Sequence, residues 1–406
     1  MDFDLTEEQS ILKDSLDRLL AERYGFEERR RILASPEGWS AEMWNRYAEM
    51  GLMALPFAEE DGGLGGTPVE TMIVMEAFGR ALALEPYFPT VVLGGALIRF
   101  GGSDAQRAEL VPAVAEGALR LAFAQGERNS RWDLHHVETT AAKDGAGWRI
   151  SGRKFVVLGG DSADRLFVTA RTAGAARDEG GIGVFLVDAG AEGVSVRGYR
   201  TQDGQRAAEV TFENVAVGAE AAFGDPEGGL ALARRAVDAG IAALCAEAVG
   251  AMGAMHALTV DYLKVRKQFG VAIGQFQVLQ HKAVDMFVAT EQARSMALYA
   301  TSLADSEDED ERARAIHAAK AEIGRGGRLV GENAIQLHGG VGMTAEYAVG
   351  HYFKRVTMID ATFGDADHHL RALAAKGGLF QAAYDGYGNR ISRVGGKSGH
   401  PCLGKP

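Results

Sequence analysis

The stretch 262–281 reads YLKVRKQFGVAIGQFQVLQH, and the rest of the chain is best read outward from it. Leu258, Tyr262, Val265 and Phe269 fall on one helical face. Gly270 and Gly274 interrupt that spacing, which resumes at Phe276, Leu279, Ala283 and Phe287. The pattern predicts two long helices joined by a short break, with Arg266, Lys267 and Gln268 at its rim. Arg offers a planar fork of donors matched to phosphate oxygens, so cations and amides beside a glycine break suit a phosphate-bearing ligand. A solvated Arg–Lys pair at a helix end is the plainer alternative.

N-terminal to this stretch the hydrophobic period changes twice. Residues 1–118 read as a helical domain. Thr6 with Gln9 and Thr67-Pro68 with Glu70 have the spacing of capping boxes. Between them, GLMALPFAEEDGGLGG (51–66) reads as a turn-rich loop. Residues 119–224 carry short strand-like runs: Leu121–Phe123, Val137–Ala141, Trp148–Ile150, Phe155–Val157, Leu166–Val168, Gly183–Val187 and Val210–Phe212. No helices intervene, which predicts an antiparallel barrel or sandwich. No strand there leads into a GxGxxG helix, so no dinucleotide fingerprint is present. Residues 225–385 return to long helical spacing, over 231–265, 275–303, 310–336 and 345 past 365, and predict an antiparallel four-helix bundle. The basic, Gly-rich tail, 386–406, has no period and is expected to be flexible or to lie on the surface.

Composition narrows the function. A net charge of −12 argues against a general nucleic-acid binder, which needs a basic face. Cys245 and Cys402 make no metal or disulfide framework. The start, MDFDLTEEQS, has no basic region followed by an apolar run, so cytoplasm is the expected location. The most apolar run, 241–255, contains Glu247 and many small residues; it reads as too short for a membrane span and is expected to be a core helix packed closely on its neighbours.

Arg266-Lys267-Gln268-Phe269-Gly270, followed by Ile273-Gly274 and Phe276-Gln277, resembles the most recognisable segment of the acyl-CoA dehydrogenase family. The order of helices, β-domain and helical bundle is also that family's fold, and the likeness covers all but the tail. The resemblance implies that Arg266, Gln268 and Phe269 hold the FAD of a neighbouring subunit, with Gln277 near its adenine end. Gln336-Leu337-His338-Gly339-Gly340 is similar to a second family motif, whose Gln and glycines receive the adenosine diphosphate part of FAD. By the same likeness Phe123, Val156 and Leu158 fall at positions beside the flavin.

Other positions depart from the pattern. Most members place the catalytic Glu in a Tyr-Glu-Gly-Thr turn, where this chain has Ile359-Asp360-Ala361-Thr362-Phe363-Gly364-Asp365, with Phe363 at the Glu position. The other known place for that Glu falls near Gly240. The usual Lys-x-Trp-x-Thr is Lys154-Phe155-Val156-Val157-Leu158, and the usual Thr-Glu-Pro-x-Ala-Gly-Ser-Asp loop is replaced by residues 126–133, GERNSRWD. FGDADHHL (363–370) is similar to the smaller subunits of two-subunit members, such as the pimeloyl-CoA and steroid side-chain types. Asp238 is close to Gly240, but Asp365, with His369 on the same face, is the carboxylate nearest the usual turn and the candidate base if the chain acts alone; a plain helix cap at Asp365 is the alternative.

The resemblance implies an FAD-dependent acyl-CoA dehydrogenase that desaturates an acyl-CoA at its α,β carbons, with electron-transferring flavoprotein as acceptor. It also implies a homotetramer, or a heterotetramer with a homologous subunit. The alternatives are a catalytically silent partner completing a homologue's site, and an acyl-CoA oxidase-like or nitroalkane oxidase-like flavoprotein.

Overall fold

A computed structural model describes residues 4–379 and the backbone of two short strands, Ala383–Tyr384 and Arg390–Ile391. Except for that backbone, the expectation for the tail lies outside the described residues. The chain begins with α1 (Glu7–Arg23), α2 (Phe26–Ala34), α3 (Ala41–Glu49), α4 (Pro68–Ala81), α5 (Gly95–Gly101) and α6 (Asp104–Ala115). Both capping boxes form: Thr6 accepts from the Gln9 amide at 3.2 Å, and the Glu70 carboxylate accepts from the Thr67 amide at 2.7 Å. Each such cap stabilises its helix by about 1 kcal/mol.

The middle of the chain is one sheet of β1 (Leu121–Ala124), β2 (Thr140–Asp144), β3 (Gly147–Leu158), β4 (Arg165–Arg171), β5 (Ile182–Asp188), β6 (Val194–Arg200), β7 (Arg206–Val217) and β8 (Ala222–Phe223). Its order is β6-β7-β3-β2-β4-β5-β8, with β1 pairing β4. The expectation of a purely antiparallel sheet is corrected, because β1 and β2 both pair β4 in parallel. The two expected runs at 148–150 and 155–157 are one bulged strand, β3. The expected strand at 137–141 begins three residues later, at Thr140. Strand β6 lies outside the expected runs; most of its residues are exposed, so burial imposes little pattern on it.

The bundle follows: α7 (Gly229–Val265), α8 (Gln277–Leu303), α9 (Glu309–His338), α10 (Val349–Ala361) and α11 (Ala366–Ala375). At 37 residues α7 matches the long helix expected over 231–265, and by length and composition alone it could cross a membrane. Its apolar stretch is nevertheless mostly buried within the fold, as a core helix is. Glycines bring α4 against it: a Cβ on Gly79 would run into the Glu247 carbonyl, and one on Gly250 into that of Glu76. The helix expected to run past 365 stops at Ala361, and Phe363 and Gly364 break it with φ of 59° and 120°.

A buried ion cluster locks the three regions together. Arg355 on α10 forks onto Glu247 of α7 at 2.5 and 2.6 Å and reaches Asp203, in the β6–β7 loop, at 2.7 Å. Arg29 of α2 donates to the carbonyls of Asp203 and Leu82 at 3.0 and 2.8 Å. Every charge in this cluster has a partner, which its burial requires.

Candidate active site

The opening stretch folds as a two-residue hairpin between α7 and α8. Arg266 is the C-cap of α7, and β9 (Lys267–Gln268) pairs antiparallel with β10 (Val271–Ala272). Phe269 and Gly270 form the turn, with φ of 53° and 82°. Positive φ at both central residues is the geometry of a tight hairpin turn, and it drives the Phe269 ring outward until it is 90% exposed. Arg266, Lys267, Gln268 and Gln277 are exposed too. At the end of α9, Gln336 is exposed and Gly339 caps the helix at φ 61°. A Cβ on Gly339 or Gly340 would meet no atom within 4 Å, so both backbones are open to approach.

The positions on the sheet divide. Val156 sits on the β3 bulge with φ 53° and is 56% exposed. Leu158 is half-buried and lines a small cavity with Glu85, Phe88 and Arg206. Phe123 is buried in the core at 5% exposure. Below the bulge, Lys154 is fully buried and donates to Glu127 at 2.7 Å and Thr169 at 2.9 Å. Glu127 also accepts from the Glu138 and Thr139 amides, so the altered 126–133 loop is anchored from beneath. Burial lowers the Lys154 pKa, and the Glu127 carboxylate opposes that shift.

The two places where a carboxylate was sought meet each other. A Cβ built on Gly240 would lie 3.5 Å from the rings of both Phe363 and Phe88, and 2.6 Å from Leu93. Nothing longer than glycine fits there as packed, and Phe363 fills the neighbouring space. Asp365 is the N-cap of α11 and accepts from the His368 amide at 2.8 Å. The pairing of Asp365 with His369 is therefore corrected. His369 is buried and bonds His317 Nδ1 at 2.8 Å and the Phe363 carbonyl at 3.1 Å.

Lys320 holds the same turn from below, donating to the carbonyls of Asp360 and Gly364 at 2.8 and 2.6 Å. Burial pushes its pKa down to about 8. Neither Lys320 nor His317 was singled out in the sequence. The available signal was a lysine on the apolar face of α9, beside Ile316, Ala319 and Ile323. Over the turn opens a cavity of about 370 Å³, lined from the β-domain by Gln125, Trp132 and His135 and from the bundle by Ile241, His317 and Phe363. The Trp132 indole closes one side by donating to the Ala361 carbonyl at 3.0 Å.

Three family models match the chain in succession: the acyl-CoA dehydrogenase N-terminal domain over 6–118, the middle domain over 122–215 and the C-terminal domain over 227–378. The chain belongs to the acyl-CoA dehydrogenase family. Acyl-CoA dehydrogenase FadE12 of Mycobacterium tuberculosis is 30% identical over 315 residues, covering 76% of this chain and 81% of that one. Among solved structures, a variant of the Tcur3481-Tcur3483 steroid ACAD has a TM-score of 0.82 at 29% identity, covering 91% of this chain and 97% of that one. The ChsE4-ChsE5 complex from Mycobacterium tuberculosis has a TM-score of 0.83 at 26% identity, covering 93% and 98%.

FAD is the cofactor of this acyl-CoA dehydrogenase fold, and the residues fit it. The open Gly339-Gly340 backbone and the exposed Arg266 suit a diphosphate, and the exposed Phe269 and Val156 suit flat apolar rings. Among the described residues Phe269 meets the ring of Phe276 at 6.1 Å, and no side-chain hydrogen bond engages Arg266.

Proposed function

We propose that this chain is a subunit of an FAD-dependent acyl-CoA dehydrogenase, and that its hairpin and the end of α9 grip the FAD of a neighbouring subunit. The observation that carries this is the exposed hairpin, where the Phe269 ring stands 90% exposed, edge-on to Phe276 at 6.1 Å, with Arg266 exposed beside it. Exposed Phe276, Val278, Val284 and Phe287 continue the apolar edge along α8, which suits burial against another subunit. A symmetric tetramer, of four copies or two plus two of a homologue, closes such an edge.

In this assembly the substrate is an acyl-CoA thioester, and electron-transferring flavoprotein is the proposed acceptor. FAD, when bound, accepts the hydride from the β-carbon. The protein must orient the thioester, exclude water and accept the α-proton. Trp132 and the apolar walls of Ile241 and Phe363 serve the first two tasks in the 370 Å³ cavity.

One observation favours a second reading, in which a homologous subunit carries the base and this chain completes its FAD site. Both positions for the carboxylate, Phe363 and Gly240, are uncharged and packed together. The test is to purify the chain alone and co-expressed with a homologous partner, then measure bound FAD and dye reduction with a panel of acyl-CoAs. Bound FAD with activity in either preparation supports the proposal. A monomer that neither retains FAD nor takes it up from solution refutes it.

A further inference from the structure

The cavity above the Phe363 turn still contains one group whose hydrogen bonds leave it ready to take a proton. The two imidazoles His317 and His369 face each other through Nδ1, 2.8 Å apart, so one nitrogen must donate and the other accept. The Phe363 carbonyl can only accept, and it lies 3.1 Å from His369 Nε2, so that nitrogen carries the proton. In a neutral ring His369 Nδ1 is then the acceptor, and His317 Nδ1 donates to it. That leaves the lone pair of His317 on Nε2, which has no protein partner among the described residues.

The surroundings keep both rings neutral. His369 is buried within reach of the Lys320 ammonium, which disfavours a second positive charge. Burial, then the nearby His368 and Lys376, lowers the His317 pKa to about 4.

The other groups lining the cavity are placed differently. Asp238 is bonded to Arg312 at 2.9 Å. Asp133 and Glu309 are exposed at the rim. His369 has both nitrogens engaged, and among the described residues no hydrogen bond fixes the ring of His368 or His135.

We propose that His317 Nε2 meets the α-carbon of an acyl thioester in this cavity and accepts its proton, in place of the carboxylate missing at Phe363 and Gly240. His369 and the Phe363 carbonyl are positioning groups that hold the tautomer. This rests on the reading that the cavity receives an acyl-CoA. In the step, the α C–H bond breaks and its proton goes to Nε2; its electron pair would form the α,β double bond, with bound FAD supplying the oxidant that takes up the β-hydride.

Proton acceptance can be tested without oxidation. Phenylacetyl-CoA has α-hydrogens and no β-hydrogen, so in D2O the enzyme exchanges its α-protons and cannot desaturate it. The holoprotein as purified, with its partner if it has one, is incubated with phenylacetyl-CoA. Exchange is followed by NMR, thioester binding by titration calorimetry, and FAD by absorbance. Wild-type protein is expected to exchange well above the buffer rate. His317→Ala and His317→Gln should each lower exchange roughly 100-fold, the scale of a lost general base. Both should keep their FAD, and His317→Gln, which retains a hydrogen-bonding side chain, should bind the thioester as wild type does.

Exchange at the buffer rate in wild-type protein that binds the thioester overturns the proposal, as does exchange unchanged in both variants. Wild-type holoprotein that binds no thioester also overturns it. Loss of FAD from wild-type protein is a different result, and refutes the cofactor reading itself.

Discussion

Phe269-Gly270 and Phe363-Gly364 are the same dipeptide in the same left-handed backbone, in opposite surroundings. In the hairpin, φ of 53° and 82° comes from a tight turn between two paired strands, and the ring points into solvent at 90% exposure. In the second turn, φ of 59° and 120° is held by Lys320 on the Gly364 carbonyl and His369 on the Phe363 carbonyl, and the ring packs toward Phe88. Local hydrogen bonding suffices for the first turn, whereas the second depends on helices distant in sequence. The first leaves its ring exposed, where we propose that another subunit docks. The second fills its own chain where the family has its base.

The largest expected effect bears on the frame shared by both turns. Helix α7 ends in the hairpin, α10 ends in the Phe363 turn, and Glu247–Arg355 joins them. Glu247→Ala leaves the buried Arg355 charge short of its main partner and should cost about 3–5 kcal/mol in denaturant unfolding. A loss below about 1 kcal/mol would show that the two turns do not share a frame.

Next in size is a pH dependence confined to the interior. Glu85 accepts from Tyr24, Tyr47 and the Ser40 amide, with no cation among these partners, and burial raises its pKa to about 7. A raised carboxyl pKa stabilises the fold in full below its unfolded value, about 4.5, and the contribution is lost as pH rises through about 7. The shift corresponds to on the order of 3 kcal/mol. Glu85→Gln should flatten stability over that window; an unchanged pH profile would contradict the assignment.

Arg266→Ala sharpens the contrast from the exposed side. Losing a charge-assisted fork should weaken FAD binding by about 1.5–3 kcal/mol, seen as flavin lost during gel filtration. The unfolding midpoint of the FAD-free protein should stay where it was, because the side chain is exposed. The smallest effects compare the rings directly. Phe363→Ala should destabilise the half-buried turn by about 2 kcal/mol, and Phe269→Ala should change monomer stability by less than about 0.5 kcal/mol while lowering assembly in sedimentation. Equal destabilisation by both would erase the distinction.

What could be read in advance follows from the range of the interactions. Thr6 with Gln9 and Thr67 with Glu70 are local, and both caps were legible. The long helices around 266–281 were legible because their apolar spacing repeats over many turns. The parallel pairing of β1 with β4 was not, since it joins residues more than forty positions apart. The end of α10 was missed because Phe at positive φ has no sequence signature, and of the two readings of Asp365, base or helix cap, its hydrogen bond is that of the cap.

The sequence by itself determined the helix–sheet–helix order and the acyl-CoA dehydrogenase family, because periodicity and short motifs act within a few residues. Only the tertiary structure decided that Gly240 meets Phe363, that His317 bonds His369, and that Lys320 holds the turn they surround. These contacts join residues far apart in the chain. A side chain's hydrogen bonds, burial and proton affinity are set by whichever helices pack around it, and that packing is a property of the whole fold.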